Sequence, residues 1–374
     1  MKNRLFVYYL LCLLISACSH QKEKQAQTLD DGNSEQIEEH KELPPLDDGE
    51  VFYRNKEPFG ETVNLTGTHL DNDTVIFRVR ESEMLVKDNQ IVLKNGIFMR
   101  FTLPDMRFLG YSGSLGQGPH EFNSPHITPT SDTTLLCYVF ESSNQKLYRL
   151  EKSGKLVYCP FTFSKAKQPS GHSDKALVNI APDDFIYAET SATGKSIFRT
   201  AKIGDSIQTR EIFNLGLNPK RKSWASYIGD FVVNPKLNRM AYAYKYFKII
   251  KFMDMEAQTV KTVNFEREKF DESTLYKVNG LDQNVTHYWG ACAGDDYVYF
   301  LYSGRTPVDV MRENNRGQYY IFVEQYDWNG NPVHKYKLDH WGYFTVDEKN
   351  KLIYLLSTND DDPFFVFSIN LDDK

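Results

Sequence analysis

The stretch FTVDEKNKLIYLLS, residues 344–357, shows the pattern that decides the fold. A short apolar segment is followed by a polar turn containing Asp, Lys and Asn, and then by a second apolar segment. β-Branched and aromatic residues favour strands, whereas Asp and Asn favour tight turns. The stretch therefore predicts a β-hairpin.

The same pattern occurs five more times along the chain. The other copies are EMLVKDNQIVLKN, ITPTSDTTLLCYVF, LVNIAPDDFIYAET, FVVNPKLNRMAYAY and ACAGDDYVYFLYS. Their second strands recur at intervals of roughly 45 to 57 residues, which indicates an internal structural repeat. Each copy continues into a third apolar stretch, and all but the last continue into a fourth. The pattern predicts an all-β, six-bladed β-propeller with four-stranded antiparallel blades.

The sixth repeat needs a fourth strand from elsewhere in the chain. The strand-like segment ETVNL, residues 61–65, precedes the first repeat. We expect this N-terminal strand to complete the last blade and close the ring, because closure removes exposed strand edges. The alternative, a pair of β-sandwiches, predicts neither a missing strand nor a regular period.

Two further segments carry a resemblance to a known family. They are GSLGQGPHEF, residues 113–122, which is followed by Ser124 and Pro125, and YVYFLYSGR, residues 297–305. The chain resembles the TolB-like six-bladed propeller lipoproteins of Bacteroidetes from about residue 61 onward. Its glycine cluster, followed by Glu-Phe and then Pro, also resembles the inter-blade signature of NHL-type propellers. The resemblance implies a propeller fold and an envelope location, and it supplies no catalytic residues.

The glycine-rich segment permits two interpretations, a phosphate-binding loop or a blade junction. A dinucleotide loop would need a third glycine where Glu121 stands and a helix where Pro119 stands, so the segment fails both requirements. We interpret it as a junction in which the glycines occupy positive-φ or tightly approached backbone positions, Phe122 is buried between blades and Pro125 opens the next strand. The expected junction residues are Gly113, Gly116, Gly118, Pro119, Phe122 and Pro125.

The N-terminus predicts export and lipid anchoring. Lys2 and Arg4 precede an apolar run, and the sequence ISAC ending at Cys18 resembles a bacterial lipobox. Residues 1–17 are expected to be a lipoprotein signal peptide, residues 18–50 a lipid anchor and disordered acidic tether, and residues 51–374 the propeller. The predicted location is the outer membrane, on its periplasmic face or at the cell surface.

Composition limits the partners and cofactors that we expect. The segment 19–50 carries ten acidic residues against three lysines, and this leaves the rest of the chain nearly neutral. A nearly neutral propeller has too little net positive charge to attract the phosphates of a nucleic acid, so we predict no nucleic-acid partner. The scattered histidines and the three cysteines beyond Cys18 show no metal-ligand spacing, so no metal and no cofactor are predicted. The sequence does not indicate an oligomeric state.

Long connections in the fourth and fifth repeats mark the candidate functional face. The segments 215–230, 266–290 and 304–318 are long and contain aromatic and basic residues suited to a protein or a glycan. The candidate ligand-binding residues are Trp224, Tyr227, His287, Trp289, Arg305 and Trp341. We therefore predict a binding or scaffold module without catalysis. The alternative is a lactonase- or lyase-like propeller with a metal in its central channel, which requires at least three converging carboxylate or imidazole groups.

Overall fold

Six antiparallel sheets follow one another along the chain in the structure, a computed structural model. It describes residues 43–369 except 55, 75, 77, 80, 117, 119–120, 164–175, 192–193, 219–223, 266–276, 279–280 and 283. Each sheet forms one blade, and in each of blades 1 to 5 four consecutive strands of the chain lie side by side in sequence order. The predicted six-bladed propeller is confirmed.

The first three blades each contain four consecutive strands. Blade 1 consists of Glu83–Lys87, Gln90–Asn95, Ile97–Thr102 and Phe108–Ser112. Blade 2 consists of Pro125–Thr128, Leu135–Glu141, Lys146–Glu151 and Leu156–Cys159. Blade 3 consists of Ala176–Ala181, Asp184–Ser191, Gly194–Ile203 and Ser206–Asn214.

The last three blades each incorporate a strand from the N-terminal part of the chain. Blade 4 consists of Gly229–Asn234, Arg239–Tyr244, Ile249–Met253 and Val260–Asn264, with Gly49–Phe52 added. Blade 5 consists of Thr286–Ala293, Tyr297–Arg305, Ile321–Asp327 and Pro332–Leu338, with Val63–Leu65 added. Blade 6 consists of Gly342–Asp347, Leu352–Ser357, Phe364–Ser368 and Thr68–His69.

An N-terminal strand closes the last blade, as predicted, but the segment differs from the one expected. Thr68–His69 pairs antiparallel with Phe364–Ser368 and supplies the fourth strand of blade 6. The expected segment, residues 61–65, instead contributes Val63–Leu65, which pairs parallel with the fourth strand of blade 5. Because blade 5 already has four strands, this segment covers its outer edge rather than completing a blade.

The N-terminal arm, which we define as residues 43–70, contacts three blades in succession. Gly49–Phe52 pairs parallel with the fourth strand of blade 4, and Leu46 is buried. The Pro44 carbonyl accepts hydrogen bonds from Arg239 and Asn329, both at 3.2 Å. Residues 44–50, on the N-terminal side of the predicted boundary at residue 51, therefore also pack against blades 4 and 5.

The hydrophobic core is divided among the contacts between neighbouring blades. Six buried clusters occur in the described part of the chain, and each joins side chains from two adjacent blades. One of them packs Tyr354 and Leu356 of blade 6 against Ile91 and Phe101 of blade 1. The ring is therefore closed by packing as well as by the shared sheet of blade 6.

A few short elements complete the described structure. A 3₁₀ helix spans Trp224–Tyr227, and two small two-stranded ladders pair Ser114–Leu115 with Glu121–Phe122 and Lys277–Val278 with Leu281–Asp282. An α-helix, Pro307–Asn314, lies between the second and third strands of blade 5. Among the described residues, no helix is long and apolar enough to cross a membrane.

Candidate functional site

One end of the propeller carries the connections that the sequence marked as long. Because successive strands of a blade are antiparallel, the link from second to third strand and the link to the next blade lie at the same end. We call this end the entrance face. The longest described insertion on it runs from residue 306 to residue 320 in blade 5 and contains the α-helix.

Blades 4, 5 and 6 bring aromatic and cationic side chains together on the entrance face. Lys245 Nζ lies 4.8 Å from the centroid of the Trp289 ring, and the Trp289 and Trp341 ring centroids are 6.2 Å apart. The Arg305 guanidinium lies 5.4 Å from the Trp341 ring and 3.8 Å from the Tyr320 ring. Lys337 Nζ lies 4.5 Å from the ring centroid of Tyr320. We call these residues the aromatic–cation strip. Its members are Lys245, Trp289, Trp341, Arg305, Tyr320 and Lys337.

Packing and hydrogen bonds hold the cations of the strip in place. Arg305 Nη2 donates to the Tyr320 carbonyl at 2.7 Å, and Nη1 pairs with the Glu313 carboxylate. The Tyr320 hydroxyl donates to the other Glu313 oxygen at 3.2 Å. The Lys245 carbonyl accepts a hydrogen bond from the His287 amide at 2.7 Å, which ties a loop of blade 4 to blade 5. Cations held on aromatic faces are preorganised, so less side-chain entropy is lost when they bind an anion.

Asp230 adds a titratable group beside Lys245. It lies on the first strand of blade 4, next to the entrance face. Burial raises the pKa of its carboxyl to about 6, and the nearby charges of Lys245 and Lys195 only partly offset that rise. The charge near Lys245 therefore changes at mildly acidic pH.

On the opposite side of the entrance, a carboxylate joins blades 1 and 2. Glu83 accepts hydrogen bonds from the Ile127 amide at 2.6 Å and from His126 Nδ1 at 2.8 Å, and Lys94 Nζ lies 3.5 Å away. Burial would raise the pKa of Glu83, but the His126 hydrogen bond and the charges of His126 and Lys94 outweigh it and lower the pKa. These contacts make Glu83 a cross-link between two blades.

The glycine-rich segment satisfies its polar groups internally. The Gly118 amide donates to the Glu121 carboxylate at 2.6 Å, and the Gly116 amide donates to the Phe122 carbonyl at 3.1 Å. Gly113 and Gly116 have φ of +82° and +148°. A Cβ at Gly116 would lie 2.2 Å from Glu121 Oε2. The loop's own carboxylate therefore occupies the position beside the Gly118 amide that a phosphate would need, and the Gly116 amide is paired with a backbone carbonyl.

The other junction residues lie between blades 1 and 2. Phe122 is 1% exposed, and its ring packs edge-on against Phe98 of blade 1 and Tyr148 of blade 2 at 5.9 and 5.3 Å. Pro125 is the first residue of blade 2 and is buried. Pro119 lies outside the described residues. The described part of the segment thus packs as a wedge between two blades.

Comparison with known proteins agrees with this architecture. The TolB-like 6-blade propeller-like family matches residues 59–349. The chain belongs to this family. No curated protein sequence matches the chain.

Solved structures with the same fold have very low sequence identity to this TolB-like propeller. A DUF4221 family member from Bacteroides vulgatus has a TM-score of 0.50 and 12% identity, and the match covers 81% of this chain and 95% of that one. A Bacteroides fragilis protein described as exported also has a TM-score of 0.50, with 9% identity and coverage of 85% and 98%. A gluconolactonase from Xanthomonas campestris has a TM-score of 0.44 and 9% identity, with coverage of 78% and 87%. For the two Bacteroides structures, identities this low indicate a shared fold alone.

Three of the six predicted ligand-binding residues meet in the TolB-like propeller. Trp289, Arg305 and Trp341 belong to the aromatic–cation strip and are half-buried. His287 is 4% exposed and stacks on Tyr302 with ring centroids 6.1 Å apart, so it lies in the interior of blade 5.

The other two predicted residues do not join the strip. Tyr227 is fully buried, and its hydroxyl donates to the Asn218 carbonyl at 3.1 Å. Such burial is typical of a packing residue. Trp224 begins the 3₁₀ helix, and its side chain lies outside the described residues.

Sequence reasoning missed several residues of the entrance face. Lys245, Tyr320 and Lys337 complete the strip, and Asp230 lies beside it. Lys245 follows directly after a predicted second strand, so its position in a connection of the entrance face was a usable signal. Lys337 lies within a strand, and only the three-dimensional structure shows that it reaches Tyr320.

The residues required by the metal-dependent alternative do not converge in the described structure. Within residues 43–369 and outside the gaps given above, no group of three or more His, Cys, Asp or Glu side chains is arranged to hold a metal ion. Glu83 and His126 form a pair, but their third partner is the cation Lys94.

Proposed function

We propose that this TolB-like propeller is an envelope-anchored binding module that presents the aromatic–cation strip to an acidic glycan or protein. The single observation that supports this function is the continuity of the strip across blades 4, 5 and 6. A surface that spans three blades can contact several groups of one extended ligand. Tryptophan, tyrosine and arginine are also the residues that contribute most to binding energy at interfaces.

Charge favours an acidic ligand. The strip contains three cations, Lys245, Arg305 and Lys337. Glu313 pairs with Arg305, and Asp230 interacts electrostatically with Lys245. Cations already rest against ring faces in the strip, so these faces are less available for stacking by a neutral sugar. The two half-buried ammonium groups, Lys245 and Lys337, are the groups that we expect to pair with ligand carboxylates.

The anchoring part of the proposal depends on the N-terminal sequence. Cys18 follows a lipobox-like signal, and the acidic segment after it is suited to a tether that holds the propeller away from the outer membrane. The description of the Bacteroides fragilis neighbour as exported supports the same general location. Labelling with radioactive palmitate tests the anchor, because Cys18→Ala should abolish incorporation.

Binding to defined acidic polymers tests the recognition function. We expect the full chain in detergent to bind polygalacturonate or poly-glutamate, and to bind neutral dextran at least tenfold more weakly. Trp341→Ala should weaken binding, whereas Tyr158→Ala removes a half-exposed aromatic residue of blade 2 outside the strip and should not. Equal binding of acidic and neutral polymers, or equal effects of the two substitutions, would contradict the proposal.

A further inference from the structure

A cleft on the entrance face adjoins the aromatic–cation strip beside the helix of blade 5. Its volume is about 440 Å³. Pockets that hold small ligands typically have volumes of about 300 to 1,000 Å³. The described residues that line it are Val285, Gly304, Arg305, Thr306, Asp309, Arg312, Glu313 and Arg316. Because Arg305 belongs to both the cleft and the strip, a ligand on the strip can extend into the cleft.

The cleft combines fixed and available cationic groups. Arg305 is fixed by Glu313 and Tyr320, and its Nε is buried without a hydrogen-bond acceptor in the described structure. Arg312 forms an ion pair with Asp309 at 3.6 Å; the Arg312 side chain is exposed, whereas Asp309 is half-buried. Arg316 is exposed and forms no ion pair with any described residue. Arg316 can therefore pair with an incoming carboxylate directly, and the exposed Arg312 can do so by exchanging its surface contact with Asp309.

The carboxylates of the cleft favour a ligand with hydroxyl groups over a phosphate. Asp309 and Glu313 lie among the three arginines, and the Thr306 hydroxyl donates to Asp309 at 2.6 Å. These carboxylates would repel a dianionic phosphate but can accept hydrogen bonds from sugar hydroxyls. Val285 is the single large apolar residue among the described lining residues, so these residues offer little to an apolar peptide side chain.

We propose that this cleft binds an acidic sugar unit, with its carboxylate between Arg312 and Arg316 and its hydroxyls toward Asp309 and Glu313. The inference rests on the proposed function, since the cleft would hold one unit of the acidic polymer that the strip recognises. The helix keeps its arginines in position because Thr306 caps its N-terminus, accepting a hydrogen bond from the Asp309 amide at 3.1 Å, and Pro307 follows.

Trigalacturonate and its methyl ester provide a matched pair of probes. The ester keeps the hydroxyls and removes the negative charges. We expect calorimetry on the full chain in detergent to show binding of trigalacturonate at least tenfold tighter than of the ester. Arg312→Gln combined with Arg316→Gln should reduce trigalacturonate affinity at least tenfold without changing the melting temperature, because both side chains are exposed.

The matched control combines Arg107→Gln with Lys155→Gln. Both residues are exposed and lie in turns between third and fourth strands, at the opposite end of the blades. This control should leave trigalacturonate affinity unchanged. An equal loss in the control and in the cleft variant would overturn the inference, because it would show a general charge effect.

The remaining outcomes separate failure of the cleft from failure of the strip. Trigalacturonate binding that depends on Trp341 but not on Arg312 and Arg316 would overturn the cleft site and leave the proposed function intact. Binding of poly-glutamate through Arg312 and Arg316, without binding of trigalacturonate, would overturn the sugar assignment in favour of a peptide. Absence of binding to all acidic probes would overturn both proposals.

Discussion

The junction between blades 1 and 2 and the aromatic–cation strip of blades 4 to 6 both lie at the entrance face, but they differ in how far their polar groups are already paired within the protein. In the junction, the Gly118 amide is paired with Glu121 and the Phe122 ring is buried. In the strip, Trp289 and Trp341 remain half-buried, as do Lys245 and Lys337, and neither lysine forms an ion pair with a described residue.

The difference separates architecture from recognition. A group whose partners are all internal stabilises the fold and has little capacity left for a ligand. A group that is held in place yet incompletely paired can gain new interactions on binding. The junction should therefore control stability, and the strip should control binding.

Removal of the Phe122 ring should give the largest effect on stability. Phe122→Ala would leave a cavity between two blades and should lower the free energy of unfolding by about 3–5 kcal/mol. Leu115→Ala in the same junction is a matched control, because Leu115 is 57% exposed and its loss should cost less than about 0.5 kcal/mol. Urea unfolding of the full chain in detergent measures both values, and similar losses would contradict the wedge role of Phe122.

A side chain at Gly116 should have the next largest effect. Gly116→Val combines an unfavourable φ with a clash against Glu121, and it should cost about 1–3 kcal/mol. Gly110→Val is the comparison, since Gly110 also has a positive φ, +130°, but an added Cβ there would meet no atom within 4 Å. A larger loss at Gly116 is expected, and equal losses would show that contact with Glu121 does not matter.

Removal of charge from the strip should weaken binding and leave stability nearly unchanged. Lys245→Gln combined with Lys337→Gln should reduce the affinity for polygalacturonate about tenfold, or about 1.4 kcal/mol. The control, Lys155→Gln combined with Lys349→Gln, removes the same charge at the opposite end of the blades. Calorimetric titration distinguishes the two pairs, and equal losses of affinity would contradict a specific role for the strip.

Titration of Asp230 should have the smallest effects, first on stability and then on binding. The Asp230 carboxyl, with a pKa of about 6 in the folded protein against an ordinary value of 3.8, keeps its proton up to about pH 6. Between these values the folded state binds more protons than the unfolded state, so stability falls as pH rises and the loss is complete above pH 6. Asp230→Asn should therefore raise the melting temperature at pH 7.5 but not near pH 4.

The same titration should appear in ligand affinity. Protonation of Asp230 removes a negative charge beside Lys245, so polygalacturonate should bind a few-fold more tightly at pH 5.5 than at pH 7.5. This pH dependence should be absent in Asp230→Asn. Its persistence in the variant would assign the effect to another group.

The repeat pattern was enough to predict the architecture. Hairpin signals such as residues 344–357 depend on local strand and turn propensities, and six of them at a regular period specify a propeller. The identity of the closing strand was harder to predict, because Val63–Leu65 and Thr68–His69 are both short and lie close together in sequence. Only pairing with blades that are distant in sequence decides between them.

The site was only partly predictable, because connections contain both packing and recognition residues. Trp289 and Trp341 were identified from residue type and loop position, and the same reasoning also selected Tyr227 and His287, which are buried. Sequence does not show whether an aromatic residue at the start of a strand points between blades or toward the entrance. Burial in the folded ring supplies that distinction.

The most direct test measures melting temperature and polygalacturonate affinity for two variants of the full chain in detergent. Phe122→Ala should lower the melting temperature and keep the affinity below the melting transition. Lys245→Gln combined with Lys337→Gln should keep the melting temperature and lose affinity about tenfold. If the Phe122 variant lost affinity without losing stability, or the lysine variant lost stability without losing affinity, the division between junction and strip would be wrong.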